Sequence, residues 1–317
     1  MKTNLRHVPA FISPRWYFNG HMHTVTRSLT GDTNPPAVER IEIPTPDDDF
    51  LELDCAIKPD SDEIIVLFHG LEGSTDRYYI VETMKTLLEN DFSVVAVNFR
   101  SCGSKLNNQP RFYHSGETND YRTVFRWIRQ QYPNKKMGAV GFSLGGNALV
   151  KYLSEEAGST PLQAAVAISV PYDLRLGSIL LSSGIHRLYG YYFLRTLTEK
   201  LEKKRQQFPD LPSFSGSTIY DFDDQVTAPI HGFDGADDYY EQCSARRFVE
   251  DITTHTLLVH SHEDPMCPIE AMPLAKINQN KFTDYIITDS GGHVGFRSKP
   301  KGWLQFVIEN YLSSNLR

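Results

Sequence analysis

Gly141-Phe142-Ser143-Leu144-Gly145 sets a serine between two glycines, after the apolar run 137–142 and before a helix-forming stretch that opens Gly146-Asn147-Ala148-Leu149. This is the pattern of a nucleophile elbow. A serine hydroxyl is a weak nucleophile, so it has to stand at the tip of a sharp strand-to-helix turn where a base can reach it from the side. Two residues to either side of it, a β-carbon would strike the neighbouring strand or helix, and glycine avoids this. The helix that follows directs free N–H groups and its positive end at the serine, which stabilises negative charge developing there. The same five residues also suit a glycine-rich turn without chemistry, so the rest of the chain has to supply partners.

A serine held in this way needs an acid and then a histidine, each on a loop after a later strand. Of eleven histidines, His293 alone lies beyond the 256–260 strand and the acid-bearing turn after it, in the glycine-rich loop Asp289-Ser290-Gly291-Gly292-His293. It would act as general base, taking the Ser143 proton and returning it to the leaving group. For the acid, Ser261-His262-Glu263-Asp264-Pro265 offers two carboxylates. Asp264 is preferred: before a proline it suits a turn from which a short side chain accepts the imidazole N–H. Glu263 is the alternative, and a plain turn residue is the reading without chemistry. A tetrahedral oxyanion needs two N–H donors. Leu144 would supply one and Leu71, in His69-Gly70-Leu71-Glu72-Gly73, the other.

The elements that must hold these residues follow from hydrophobic periodicity. Residues 41–43 and 50–55 alternate apolar and polar around Pro46-Asp47-Asp48-Asp49, as an antiparallel hairpin does. Runs 64–68, 94–99, 137–142 and 164–169 are nearly all apolar, as parallel strands covered on both faces are. Helical stretches 78–89, 118–131 and 146–155 separate them, a βαβαβαβ order with a parallel sheet. A strand at 256–260, a helix near 268–276, a strand at 285–288 and a helix near 303–312 complete the pattern. From 172 to 240 no strand-like run occurs, a length too great for a simple connection. This predicts a core from 1–171 and 241–317 with an inserted helical cap at 172–240. In the cap, Leu181, Ile185, Leu188, Tyr192, Leu197 and Leu201 recur at helical spacing. They pack the cap on the core or roof a substrate pocket, and peripheral membrane contact is a further use for such a face. The charged run 199–205 reads as a solvated helix end.

Composition narrows the function classes. With 317 residues, 40% hydrophobic and 22% charged, the chain can bury a full core, and a net charge of −7 opposes non-specific nucleic-acid binding. Cys55, Cys102, Cys243 and Cys267 show no Cys-x-x-Cys spacing, so a reducing, cytoplasmic setting without a zinc site is expected. The first seven residues lack the apolar core of a signal peptide, and no apolar run reaches bilayer-spanning length.

Beyond the elbow, the chain carries Asn19-Gly20-His21, His69-Gly70-Leu71-Glu72-Gly73, Asn98-Phe99-Arg100-Ser101-Cys102-Gly103 and Tyr113-His114-Ser115-Gly116-Glu117-Thr118. Further on come Ala228-Pro229-Ile230-His231-Gly232-Phe233, Asp238-Tyr239-Tyr240 and Gly291-Gly292-His293-Val294-Gly295-Phe296. In this combination the chain resembles the α/β-hydrolases of the AB hydrolase 4 family, which includes YheT-type esterases, embryogenesis-associated plant proteins and yeast medium-chain ethyl ester acyltransferases. The resemblance runs through most of the chain. It implies an α/β-hydrolase fold with a mostly parallel sheet, helices on both faces and an inserted helical cap, and it puts the triad on Ser143, Asp264 and His293. Ser101 departs from it, standing where relatives usually have glycine, and is expected to alter a loop and not the chemistry.

Other candidates carry less. His21-Met22-His23 would set two imidazoles on one strand face, but no nearby carboxylate or cysteine completes a metal site. His69 is expected to be a structural hydrogen-bonding residue, and His260 and His262 to flank the acid. His114 and Glu117 have no assigned role. The acidic residues from Asp221 to Asp238 lack calcium-loop spacing and read as turns. The resulting expectation is a serine carboxylesterase or lipase-like hydrolase of apolar acyl esters, needing neither cofactor nor metal. An acyltransferase to an alcohol on the same residues and a non-catalytic ligand-binding scaffold are the alternatives. Aromatics in the cap, among them Tyr189, Phe193, Phe222 and Phe233, favour an apolar acyl chain.

Overall fold

The apolar runs pair into one nine-stranded sheet in the computed structural model, which describes residues 1–5 and 8–317. In chain order the strands are β1 (Lys2–Thr3), β2 (Glu39–Thr45), β3 (Asp49–Ala56), β4 (Glu63–Phe68), β5 (Ser93–Asn98), β6 (Lys136–Phe142), β7 (Leu162–Ile168), β8 (His255–Ser261) and β9 (Thr283–Thr288). Across the sheet they lie β1-β9-β8-β7-β6-β4-β5-β3-β2. Pairs from β5 through β4, β6, β7 and β8 to β9 are parallel. The β2–β3 hairpin adds to β5 antiparallel, and β1 closes the other edge antiparallel to β9. Two residues carry no periodicity, so β1 has no signature in the sequence. The N-terminal stretch read above for a signal peptide includes Arg6 and His7, which lie outside the described residues.

The helices are α1 (Gly20–Thr30), α2 (Tyr78–Glu89), α3 (Asn119–Gln131), α4 (Leu144–Glu155), α5 (Leu174–Leu181), α6 (Arg187–Arg205), α7 (Ile219–Phe222), α8 (Ala228–His231), α9 (Ala236–Cys243), α10 (Leu274–Gln279) and α11 (Trp303–Leu316). Side chains alternate across each strand, so Ile64, Val66 and Phe68 enter one buried cluster and Ile65 and Leu67 the other. Helices α3, α4 and α10 cover the first face, and α2 and α11 the second. Both faces are dry, which is why these strands are apolar throughout. The helix predicted at 268–276 is instead a short 3-10 turn, Ile269–Ala271, followed by α10. Pro273 lacks an N–H and forces Met272 into extended backbone, interrupting the helix.

Between β7 and β8 the chain forms only helices and loops, with a π-helical segment, Asp223–Thr227, joining α7 to α8. Residue 240, the predicted end of the insertion, falls inside α9. The end of α9 is tied to α4 by Asn147, whose amide donates to the Cys243 carbonyl at 2.8 Å and accepts the Ala245 N–H at 3.0 Å.

Candidate active site

Ser143 sits between β6 and α4 with φ 53° and ψ −119°, a backbone conformation that residues with a side chain rarely adopt. Its N–H donates to the Ile168 carbonyl at 2.8 Å, anchoring the turn to β7. A β-carbon on Gly145 would lie 2.4 Å from the His69 carbonyl oxygen. Backbone cannot retreat from such a contact cheaply, so Gly145→Ala is expected to lower stability by about 1–3 kcal/mol, read from urea unfolding. An unchanged midpoint would show that the elbow can open.

Oγ of Ser143 lies 2.8 Å from Nε2 of His293, and Nδ1 of His293 lies 3.1 and 3.0 Å from the two oxygens of Asp264. Facing a carboxylate, Nδ1 carries the ring proton, which leaves Nε2 to accept. Asp264 is buried and also accepts the Met266 and Cys267 N–H groups at 2.9 and 3.0 Å. Burial pushes its carboxyl up, but the His293 charge and hydrogen bond, with His260 and the Met266 N–H, outweigh this and hold it below the usual carboxylate range. Glu263, the alternative acid, makes no bond to His293 among the described residues. Asp264, Cys267 and His293 bring an oxygen, a sulfur and a nitrogen within 4.8 Å of one another. A metal there would have to break the His293–Asp264 bond and ionise a thiol that burial raises well above its ordinary pKa.

The two loops are braced by α1, an element the sequence reading missed. His21 and His23, expected on a strand, lie in this helix, which Asn19 caps by accepting the Met22 N–H at 3.0 Å. Gly20 lets the helix start against the acid turn: a β-carbon there would fall 1.7 Å from the Glu263 carbonyl oxygen. One turn on, the Thr24 hydroxyl accepts the His293 N–H at 2.9 Å. His23 bonds Ser13 and the Arg297 N–H, and burial lowers its pKa to about 4. His21 faces the Tyr189 hydroxyl of α6 at 3.0 Å. Both imidazoles are therefore engaged in packing. The signal for α1 was present, a capping asparagine before a helical stretch, but His-x-His invited a strand reading.

The loop carrying Leu71 lies against the elbow, where a β-carbon on Gly70 would be 3.1 Å from that of Ser143. Its shape is set by several bonds. Gly70 N–H donates to the Tyr79 hydroxyl at 3.0 Å, and Nε2 of His69 accepts the Phe99 N–H at 3.1 Å, so Nδ1 donates to the Gly70 carbonyl at 2.7 Å. Among the described residues the Leu71 N–H has no acceptor. Glu72, at φ 51°, gives its N–H to the Tyr113 hydroxyl at 2.8 Å and accepts the same hydroxyl's proton on its carboxylate at 2.7 Å.

The run 199–205 is solvated only in part, at Glu199, Glu202 and Lys203. Lys200 of α6 crosses to Glu72 at 2.6 Å and to the Cys102 sulfur at 3.2 Å, and Lys204 is wholly buried, bonded to Asn107 and to the Arg111 carbonyl. Burial pulls the Lys200 ammonium down, but Cys102 and Glu72 lift it above its ordinary value. Burial takes Lys204 down to about 7. A charge run cannot reveal which of its members meets a partner from elsewhere in the chain. Lys200→Met strands the Glu72 carboxylate, and a loss of about 3–5 kcal/mol is expected in chemical unfolding. Adding Glu72→Gln should recover much of it, whereas equal losses in single and double variants would exclude the pair.

The helical face named in the cap divides. Leu181 and Leu197 line the cavity and Leu201 is buried, but Ile185, Leu188 and Tyr192 are exposed at 59%, 68% and 47%. Leu181 ends α5 and Ile185 lies in a 3-10 turn, and within α6 the five-residue step from Tyr192 to Leu197 turns the helix about 140° past a full revolution, so the six never share one face. Phe193 and Leu197 are the α6 residues that face inward with Lys200. Ser101 adopts φ 60°, the region glycine favours, and its hydroxyl bonds Asn107 at 2.6 Å.

Ser143, Leu144, Leu71 and His293 open on a cavity of about 1040 Å³, including its mouth, walled largely by apolar side chains such as Leu174, Leu181, Phe193 and Phe222. Two groups of residues without an assigned role also reach it. His114 packs its ring 4.5 Å from that of His231, and burial lowers their pKa values to about 3 and about 2. Asp223, in the π-helical segment, accepts hydroxyls from Tyr240 at 2.7 Å and Thr227 at 2.8 Å, and burial raises it to about 6. Asp221 caps α7, Asp224 and Asp238 accept backbone N–H groups, and Asp237 pairs with Arg175. No helix is long and apolar enough to cross a membrane among the described residues.

Residues 63–300 match the family described as alpha/beta hydrolase fold. The chain is 34% identical to YheT of Escherichia coli (strain K12), provisionally named an esterase, over 96% of this chain and 94% of that one. It is 29% identical to a monoacylglycerol lipase of Saccharomyces cerevisiae over 80% of this chain, but spans only 58% of that protein. Human phospholipase ABHD3 is 28% identical over 89% of this chain and 72% of its own. The esterase Pf2001 of Pyrococcus furiosus has the same fold, with a TM-score of 0.61 at 16% identity, covering 98% of this chain and all of that one.

Proposed function

The chain belongs to the α/β-hydrolase fold family, as an esterase- and lipase-like hydrolase, and from this we propose that it cleaves esters of apolar acyl chains through an acyl-enzyme on Ser143. The observation that carries this reading is the hydrogen-bonded row Ser143–His293–Asp264 opening into an apolar cavity. Ser143 Oγ attacks the ester carbonyl carbon while His293 Nε2 takes its proton, and Asp264 steadies the imidazolium that results. The oxyanion is held by the N–H groups of Leu71 and Leu144. As the tetrahedral intermediate collapses, the C–O bond to the alcohol breaks and His293 hands the proton to the departing oxygen. Water then enters, gives a proton to His293 and attacks the acyl carbon. The second collapse returns that proton to Ser143 and releases the carboxylic acid. Residues 172–240 act in this scheme as a cap that keeps the acyl chain out of water. An alcohol replacing water in the second half would make the protein an acyltransferase.

An active-serine phosphonate should label the wild type and not Ser143→Ala; absence of label in both would reduce the fold to a binding scaffold. A hydrolysis profile from acetyl to palmitoyl esters then reads the acyl length the cavity takes. The Leu71 donor is backbone, so Leu71→Ala should leave turnover nearly unchanged. Leu71→Pro should cost roughly 2.7 to 4 kcal/mol in transition-state stabilisation, read from kcat. Equal effects from both substitutions would assign Leu71 to packing instead.

A further inference from the structure

The cavity that opens at Ser143 does not end in hydrocarbon alone. His231, at the end of α8, and Asp223 and Thr227, in the π-helical segment before it, line the same space as the apolar residues. Most polar atoms in this group are spoken for, although His114 Nε2 stands 3.7 Å from the Glu117 carboxylate. The two Asp223 oxygens take the Tyr240 and Thr227 hydroxyls. Nδ1 of His114 accepts the Gly116 N–H at 3.2 Å, and the Tyr239 hydroxyl accepts the Ser115 N–H at 2.9 Å. His231 differs, with no hydrogen-bond partner on either ring nitrogen among the described residues, and its ring is only partly buried in the cavity wall.

An imidazole that borders a cavity without a protein partner is left to bond whatever occupies that cavity, water or a ligand group. From the position of this unpartnered imidazole in the cavity wall, we infer that the cavity binds a substrate hydroxyl at His231, beside Asp223 and Thr227. A hydroxyl fits better than a charged group. Burial, with the charges of Arg111, Arg100 and Lys204 and the neighbouring His114, keeps the His231 ring neutral, so it offers one donor and one acceptor, the same pair that a hydroxyl presents. An ammonium would meet those same positive charges, and a carboxylate would sit beside the Asp223 carboxyl and lose its hydration. The inference rests on the ester-hydrolase reading of Ser143 and adds to it a substrate class: esters that carry a further hydroxyl. That hydroxyl belongs either to the alcohol portion, as in a glycerol monoester, or to the acyl chain.

The two sources separate with three esters of matched acyl length: ethyl octanoate, glyceryl monooctanoate and ethyl 8-hydroxyoctanoate. In the wild type, one hydroxylated ester should exceed ethyl octanoate by about tenfold in kcat/KM, the worth of one added hydrogen bond. Which one does so names the side that carries the hydroxyl. His231→Leu should bring that ratio close to one, and His231→Gln, which keeps a donor and an acceptor, should retain part of it. Ratios near one for both hydroxylated esters in the wild type would overturn the inference and assign the His231 partner to water. A preference that persists in His231→Leu would overturn it equally, by placing the hydroxyl elsewhere. Should His231→Leu fail to fold, the wild-type ratios and His231→Gln decide. No turnover of any of the three would sink the ester-hydrolase reading itself, a result distinct from turnover without preference.

Discussion

Ser143→Ala is expected to reduce ester turnover about a million-fold, with the protein folded and the cavity intact. The size follows from how the residues act as a unit. Removing Oγ takes away the only group that bonds covalently to the acyl carbon and leaves His293 Nε2 without the proton it would accept at 2.8 Å. What remains is oxyanion stabilisation and binding, which still exceed catalysis by water. The substitution should cost little in stability, because Ser143 holds its turn through backbone, with its N–H on the Ile168 carbonyl and its carbonyl accepting from Asn147 at 2.9 Å. The measurement is kcat for a chromogenic ester beside a thermal melt. A folded variant with near-normal turnover would mean that another group is the nucleophile.

Asp264→Asn should lower kcat by about ten-thousand-fold while leaving KM and the fold comparatively unchanged. The carboxylate accepts from His293 Nδ1 and from two backbone N–H groups at once, and its side chain is fully buried. An asparagine in the same place must turn its NH2 either toward the backbone donors or toward His293. The second choice puts the ring proton on Nε2, where it faces Ser143 and blocks proton transfer. Glu263→Gln is the matched control and should change little, since Glu263 makes no bond to the imidazole. If Glu263→Gln were the damaging substitution and Asp264→Asn the mild one, the two carboxylates would exchange roles.

Much of this was open to reading in the chain because it is local. The elbow is five consecutive residues, and the alternation of Ile64 to Phe68 between two faces needs only the pleat of a strand. The order serine, acid, histidine is a matter of counting along the chain. The errors arose where a short window supports two structures. His21-Met22-His23 has the period of a strand, yet Asn19 caps a helix through those residues. Pro273 was passed over inside a supposed helix, although a missing N–H and an extended Met272 stop it there.

What the sequence alone determined is therefore strands β2 to β9, most of the helices that cover them, the turn that holds Ser143, and the residue types able to act with it. Tertiary structure decided which charges are buried and what meets them: Lys200 on Glu72, Lys204 beside Asn107, Thr24 under the His293 loop, and an unpaired His231 in the cavity wall. The physical reason is range. Backbone geometry depends on a few neighbouring residues, whereas burial and hydrogen bonding depend on groups far along the chain, 128 positions apart for Glu72 and Lys200 and 269 for Thr24 and His293.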